Sequence, residues 1–136
     1  HKNKTIRLVD LKTGISKSSE FLTSFLRYRY YFQEAIYMKA IKDIQAKLGV
    51  TDYTVLPFQF LYIGRKEQVP VVFDITQKWH YAALNGFTSV GGYPYKGLNE
   101  TLDDIKWHFD NKEFEFPREL SEGNGTMKLS DEFFNT

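Results

Sequence analysis

Cysteine is absent from the 136 residues, which excludes disulfides, iron–sulfur clusters and cysteine-based zinc sites and suits a reducing compartment. Long apolar runs are missing too. None approaches the roughly 18 residues of a membrane span, and nothing near the start resembles a secretion signal. The expectation is a cytoplasmic protein with no membrane partner, in which the Asn-x-Thr triplets at Asn3, Asn99 and Asn124 are chance. Other chemistries lack their motifs. The 91–97 loop has no P-loop arrangement of lysine and Ser/Thr, and Ser89 does not sit in a Gly-x-Ser-x-Gly elbow. His80 and His108 fall on separate predicted helices, without metal-ligand spacing.

What the chain does contain is enough apolar material for one real core: 42% hydrophobic and 17% aromatic residues. The net charge of +1 conceals a division. Residues 1–50 hold 10 Lys/Arg against 4 Asp/Glu, a net +6, and the remainder holds 8 against 13, a net −5. A basic N-terminal portion suits a polyanionic partner.

Along the chain, residues 1–4 read as a turn, and residues 5–12 alternate as a strand ended by Thr13-Gly14. A helix is predicted from near Ser18. A second helical stripe through Tyr37, Ala40, Ile41, Ile44 and Leu48 closes at Gly49, with the aromatic cluster at 28–32 bending or dividing the two. Residues 53–63 and 69–75 read as a hairpin around a turn at 64–68. The stripe Ile75, Trp79, Ala82, Ala83, Phe87 predicts a helix closed by Gly91-Gly92, and Leu102, Ile105 and Phe109 a short one. Asp103-Asp104 would face that helix's dipole, and Trp79 and Trp107 would be core. Residues 1–120 are therefore assigned to one domain and 121–136 to an extended or mobile tail, with Phe133-Phe134 able to dock.

The stretch that carries chemistry is Val9-Asp10-Leu11-Lys12-Thr13. An acid and a lysine two residues apart on a strand share a face. A carboxylate that binds a divalent ion, beside an ammonium facing a phosphate, supplies the means of phosphodiester hydrolysis. In Gln33-Glu34-Ala35-Ile36-Tyr37, Gln33 and Tyr37 stand one helical turn apart. Their amide and hydroxyl suit a phosphate or the lysine.

Taken in order, Asp-Leu-Lys-Thr-Gly on a strand, a serine-rich connection, Gln-x-x-x-Tyr on a helix and an aromatic strand resemble the PD-(D/E)XK nuclease superfamily. The likeness is in particular to phage and bacterial exonuclease VIII-type enzymes, and covers roughly residues 4–110. It implies an α/β fold, restriction-endonuclease-like, with a mixed sheet flanked by helices. It implies Asp10 and Lys12 as catalytic residues, Asp10 and the Leu11 carbonyl as ligands of Mg²⁺ or Mn²⁺, and Thr13, Arg27, Arg29, Gln33 and Tyr37 as DNA-binding. DNA would be the partner, with homo-oligomer formation and a strand-annealing recombination protein as further family associations in phage recombination or DNA repair. The family also uses an upstream aspartate, and residues 1–9 contain no acid. The expectation is that N-terminal strands are missing from this chain. A metal-binding Asp would lie about a dozen residues before Asp10, and the fragment alone would be inactive. The alternative is a non-catalytic DNA-binding or assembly module on a nuclease-like fold.

Overall fold

The computed structural model describes residues 3–67 and 69–126. The chain divides into two compact units, one ending at Leu98 and the other starting at Asn99. Both helices and strands are present, and the first unit is mixed α/β.

In the first unit, β1 (Thr5–Ile6) and β2 (Val9–Gly14) run parallel to β3 (Thr54–Val55) and β4 (Gln59–Gly64). The first ladder pairs Thr5 with Thr54; the second pairs Val9 with Gln59, one residue out of step. The extra residue falls beside Pro57, which has no amide hydrogen to donate, so a bulge is the natural break. Bonds from Leu56 N to the Ile6 carbonyl (2.7 Å) and Gln59 N to the Leu8 carbonyl (3.0 Å) carry the pairing across it. β4 then turns back antiparallel into β5 (Val71–Asp74), giving the order β2-β4-β5. This is the hairpin expected at 53–75, shortened at its start by Pro57. Of its expected turn, Gln68 lies outside the described residues, as do His1 and Lys2 of the turn expected at 1–4.

Between β2 and β4 the chain forms a 3-10 turn (Ser18–Glu20), α1 (Phe21–Arg27) and α2 (Tyr30–Leu48). The division expected at the aromatic cluster occurs at Arg29, whose φ of 54° is left-handed and ends α1. Gly49 closes α2 at φ 66°, in the conformation for which glycine is the least strained residue. The strand ends meet closely: a Cβ on Gly14 would come within 2.8 Å of the Tyr62 hydroxyl. That hydroxyl donates to the Ser16 carbonyl at 2.7 Å, tying the β2–α1 connection down.

The sheet's covered face is aromatic. Phe60 is fully buried, Phe21 stacks on Phe73 at 4.3 Å, and Phe25 meets Phe60 edge-on at 5.9 Å. Asp10 pairs with Phe60 and Lys12 with Tyr62 across the ladder, so both polar side chains belong to this covered face. The other face carries Val9, Leu11, Ile63 and Val72, all exposed.

α3 (Gln77–Asn85) is capped by Thr76, whose hydroxyl accepts from Trp79 N at 3.3 Å. The helix expected to reach Gly91-Gly92 stops at Gly86 instead. There Asn85-Gly86 breaks it, and Phe87 joins β6 (Phe87–Thr88) against β7 (Pro94–Tyr95). Phe87 stacks on Tyr95 at 4.6 Å, so the residue completing the helical stripe is instead part of a hairpin. Trp79 packs against the core as expected.

α4 (Leu98–Asn111) runs to 14 residues, longer than expected, and α5 (Arg118–Glu122) lies across the expected tail boundary. In the second unit Arg118 pairs with Asp103 (3.0 Å) and Asp104 (3.6 Å), and its guanidinium stands 5.5 Å from the Trp107 ring. Asp103 and Asp104 are thus ion-paired, beyond the helix-end role expected. Phe133-Phe134 lie outside the described residues.

Candidate active site

Strand alternation brings Asp10 and Lys12 to one face, and the helix period brings Gln33 to meet them. The Lys12 ammonium lies 2.9 Å from Asp10 Oδ2 and donates to Gln33 Oε1 at 2.6 Å. Gln33 Nε2 donates to Asp10 Oδ1 at 3.1 Å and to the Tyr37 hydroxyl at 3.2 Å. One amide therefore binds both charges of the pair. Its orientation follows from chemistry, since the opposite one would set an NH₂ group against the ammonium.

The cluster is closely hydrogen-bonded and only partly wet. The Lys12 and Asp10 side chains are 19% and 22% exposed. Lys12 Nζ sits 4.2 Å from the Tyr30 ring centroid and 5.8 Å from that of Phe60, so two aromatic faces complete its surroundings. Tyr30 was not anticipated as a site residue. Its spacing to Gln33 and Tyr37, three and seven positions, places all three on one helical stripe, and that was the available signal.

Asp10 Oδ2 is buried and has no hydrogen-bond partner among the described residues, although the ammonium is within 2.9 Å. The ammonium ion-pairs this oxygen, so a divalent ion at Asp10 would share the carboxylate with Lys12. The Leu11 carbonyl is free of β4 as well. In the parallel ladder the carbonyls of Leu8 and Gly14 accept from Gln59 and Arg65, so the even-numbered carbonyls face β4. The carbonyl of Leu11 turns to the opposite edge of β2.

The Asp10 carboxylate and the Leu11 carbonyl are hard oxygen donors of the type Mg²⁺ takes, an ion normally held by one or two carboxylates together with water and substrate oxygens. Groups of three or more His, Cys, Asp or Glu able to hold a metal are absent among the described residues.

The remaining predicted residues are placed differently. Thr13 alternates with Lys12 and is exposed on the opposite sheet face, so its side chain does not join the cluster. Arg27 and Arg29 are exposed at the α1–α2 corner, 5.7 Å from the Tyr28 ring and 5.9 Å from the Phe32 ring. His80 is neither isolated nor zinc-like: its Nδ1 stands 2.8 Å from Oε1 of the buried Glu34. Burial pushes the Glu34 carboxyl above its ordinary range, while His80, and more weakly Lys42, pull it part of the way back.

No family model, curated protein or solved structure matches this chain. Its class rests on its own geometry: a mixed α/β unit with an Asp-Lys-Gln-Tyr cluster on the covered face of an edge strand.

Proposed function

We propose that this protein is a Mg²⁺- or Mn²⁺-dependent deoxyribonuclease with a restriction-endonuclease-like core, cleaving DNA phosphodiester bonds from an end. The supporting observation is the convergence of Asp10, Lys12, Gln33 and Tyr37, drawn from a strand and a helix more than 20 residues apart in sequence, into one hydrogen-bonded cluster.

In this reading the Asp10 carboxylate and the Leu11 carbonyl would hold the ion. When bound, it supplies an activated water and neutralises charge at the scissile phosphate. Lys12 aims its ammonium at that phosphate, held by Gln33 on one side and the Tyr30 ring on the other. Gln33 fixes the spacing of the acid and the base. The Tyr37 hydroxyl accepts from Gln33 and keeps its own hydrogen for a phosphate oxygen. A second carboxylate would complete the metal set.

The test uses the protein with whatever residues its gene encodes before His1. Linear and closed circular DNA are incubated with and without Mg²⁺, alongside Asp10→Asn and Lys12→Gln. Degradation of linear DNA alone, reduced about 100-fold or more by either substitution, is expected. Wild-type activity in both variants would place the chemistry elsewhere. Metal-independent binding without cleavage would favour the non-catalytic module, a reading supported by the single carboxylate in the cluster.

A further inference from the structure

The corner between α1 and α2 reads Arg27-Tyr28-Arg29-Tyr30, and its backbone is held in an uncommon shape. Arg29 is left-handed at φ 54°, a conformation that costs a non-glycine residue about 1 kcal/mol. Bonds from Tyr28 N to the Ser24 carbonyl (2.9 Å), Arg29 N to the Leu26 carbonyl (3.2 Å) and Phe32 N to the Arg29 carbonyl (2.9 Å) fix it. The outcome is a stepped pair of rings. Tyr30 lies over Lys12, and Tyr28 lies against Tyr30 with centroids 5.7 Å apart and planes 28° apart. Tyr28 is 60% exposed, so the outer step faces solvent.

Beside this step is a cavity of about 270 Å³ lined by Ser16, Glu20, Thr23, Ser24, Arg27 and Tyr28. Three aliphatic hydroxyls and a guanidinium in one hollow suit a phosphate and its sugar. The acid in the wall is partly engaged, because Glu20 accepts from Lys17 N at 3.3 Å.

We infer that Tyr28 and this hollow form a subsite for one unstacked nucleotide, the base lying on the outer face of Tyr28 and the phosphate meeting Arg27 and the hydroxyls. Identifying the ligand as nucleic acid rests on the nuclease reading above; the subsite adds the form of the substrate. A base inside a duplex already has neighbours on both faces, whereas a base at a frayed end or in a single strand has a face to give. Stacking on an exposed aromatic is tolerant of sequence. The subsite therefore selects single-stranded or melted ends and passes the strand across Tyr30 to Lys12.

The experiment measures fluorescence anisotropy of a labelled oligothymidylate and of a blunt duplex of equal length, both in EDTA so that no hydrolysis occurs. Wild type, Tyr28→Ala, Tyr28→Phe and Arg27→Gln are compared, with thermal melts to confirm that each is folded. Tyr28→Ala should weaken single-strand binding about tenfold, change duplex binding less than about twofold, and be rescued by Tyr28→Phe. Arg27→Gln should weaken single-strand binding and flatten its salt dependence. Single-strand binding that is undetectable in wild type, unaffected by Tyr28→Ala, or lost in step with duplex binding would overturn the subsite. The two readings fail separately. Tyr28-dependent binding without cleavage in the Mg²⁺ assay overturns the nuclease alone, whereas cleavage with Tyr28-independent binding overturns the subsite alone.

Discussion

Gln33 holds two opposite charges at once, and its replacement shows what each partner does unaided. In Gln33→Ala, Lys12 and Asp10 keep their coulombic contact but lose both directed bonds to the amide. A loss of about 1–3 kcal/mol in a urea melt is expected, the usual effect of stranding partly buried polar groups. Glu34 gives the residue scale its pH dependence. Its folded-state carboxyl titrates above the ordinary value because burial outweighs the pull of His80. The protonated form is thus favoured by folding, and the stability it contributes is complete below the unfolded value and is lost as pH rises through the raised one. Glu34→Gln should therefore raise Tm at pH 8 relative to wild type, with the gain shrinking as pH falls into the carboxylate range. His80→Ala removes the partner 2.8 Å from Oε1, while Oε2 already has none among the described residues. A destabilisation of about 1–3 kcal/mol is expected at neutral pH, the cost of a buried carboxyl left without its hydrogen-bond partner. Asp10, Lys12, Gln33 and Tyr37 could be read from the sequence because their shared faces follow from strand and helix periods. The Glu34–His80 pair could not, since 46 residues separate its members and only the packing of α2 on α3 joins them.

At the scale of elements, the sequence signals were strongest where glycine or a sharp change of period marked a boundary. Gly49 closing α2 and the β4–β5 hairpin follow from such marks. The end of α3 did not, because Phe87 kept the 3.6-residue stripe running past Gly86 while its ring belonged to a hairpin with Tyr95. The bulge beside Pro57 was equally hidden, since a register slip exists only between two strands. That hairpin also fixes Gly97: a Cβ there would come within 2.3 Å of Gly86 N, so Gly97→Ala should cost about 2–3 kcal/mol by forcing backbone apart. Arg29 offers the opposite case. Arg29→Gly relieves the left-handed strain and should raise stability by up to about 1 kcal/mol while removing a cation from the corner. A higher Tm together with weaker DNA binding would show that the corner's shape and its charge have separate roles.

The first unit is organised around a sheet whose two faces have exchanged their usual character at β2. Its covered face takes the charged pair, and the uncovered face carries Val9 and Leu11 at 54% and 57% exposure beside Ile63 and Val72. Leu11→Lys should accordingly change stability by less than about 0.5 kcal/mol, as exposed substitutions do, and lower binding of an apolar dye to that face. No helix among the described residues is long and apolar enough to cross a membrane. The excess of basic residues before Val50 coincides with β1, β2, α1 and α2, the elements that carry the cluster and the arginine corner. The proposed role of Asp10 as a metal ligand is tested most directly by Mn²⁺ titration followed by two-dimensional amide NMR. Paramagnetic broadening should begin at the amides of Asp10 and Leu11 and the side-chain amide of Gln33, and Asp10→Asn should abolish it. Broadening centred on Asp103 and Asp104 instead, or undiminished in Asp10→Asn, would contradict the assignment.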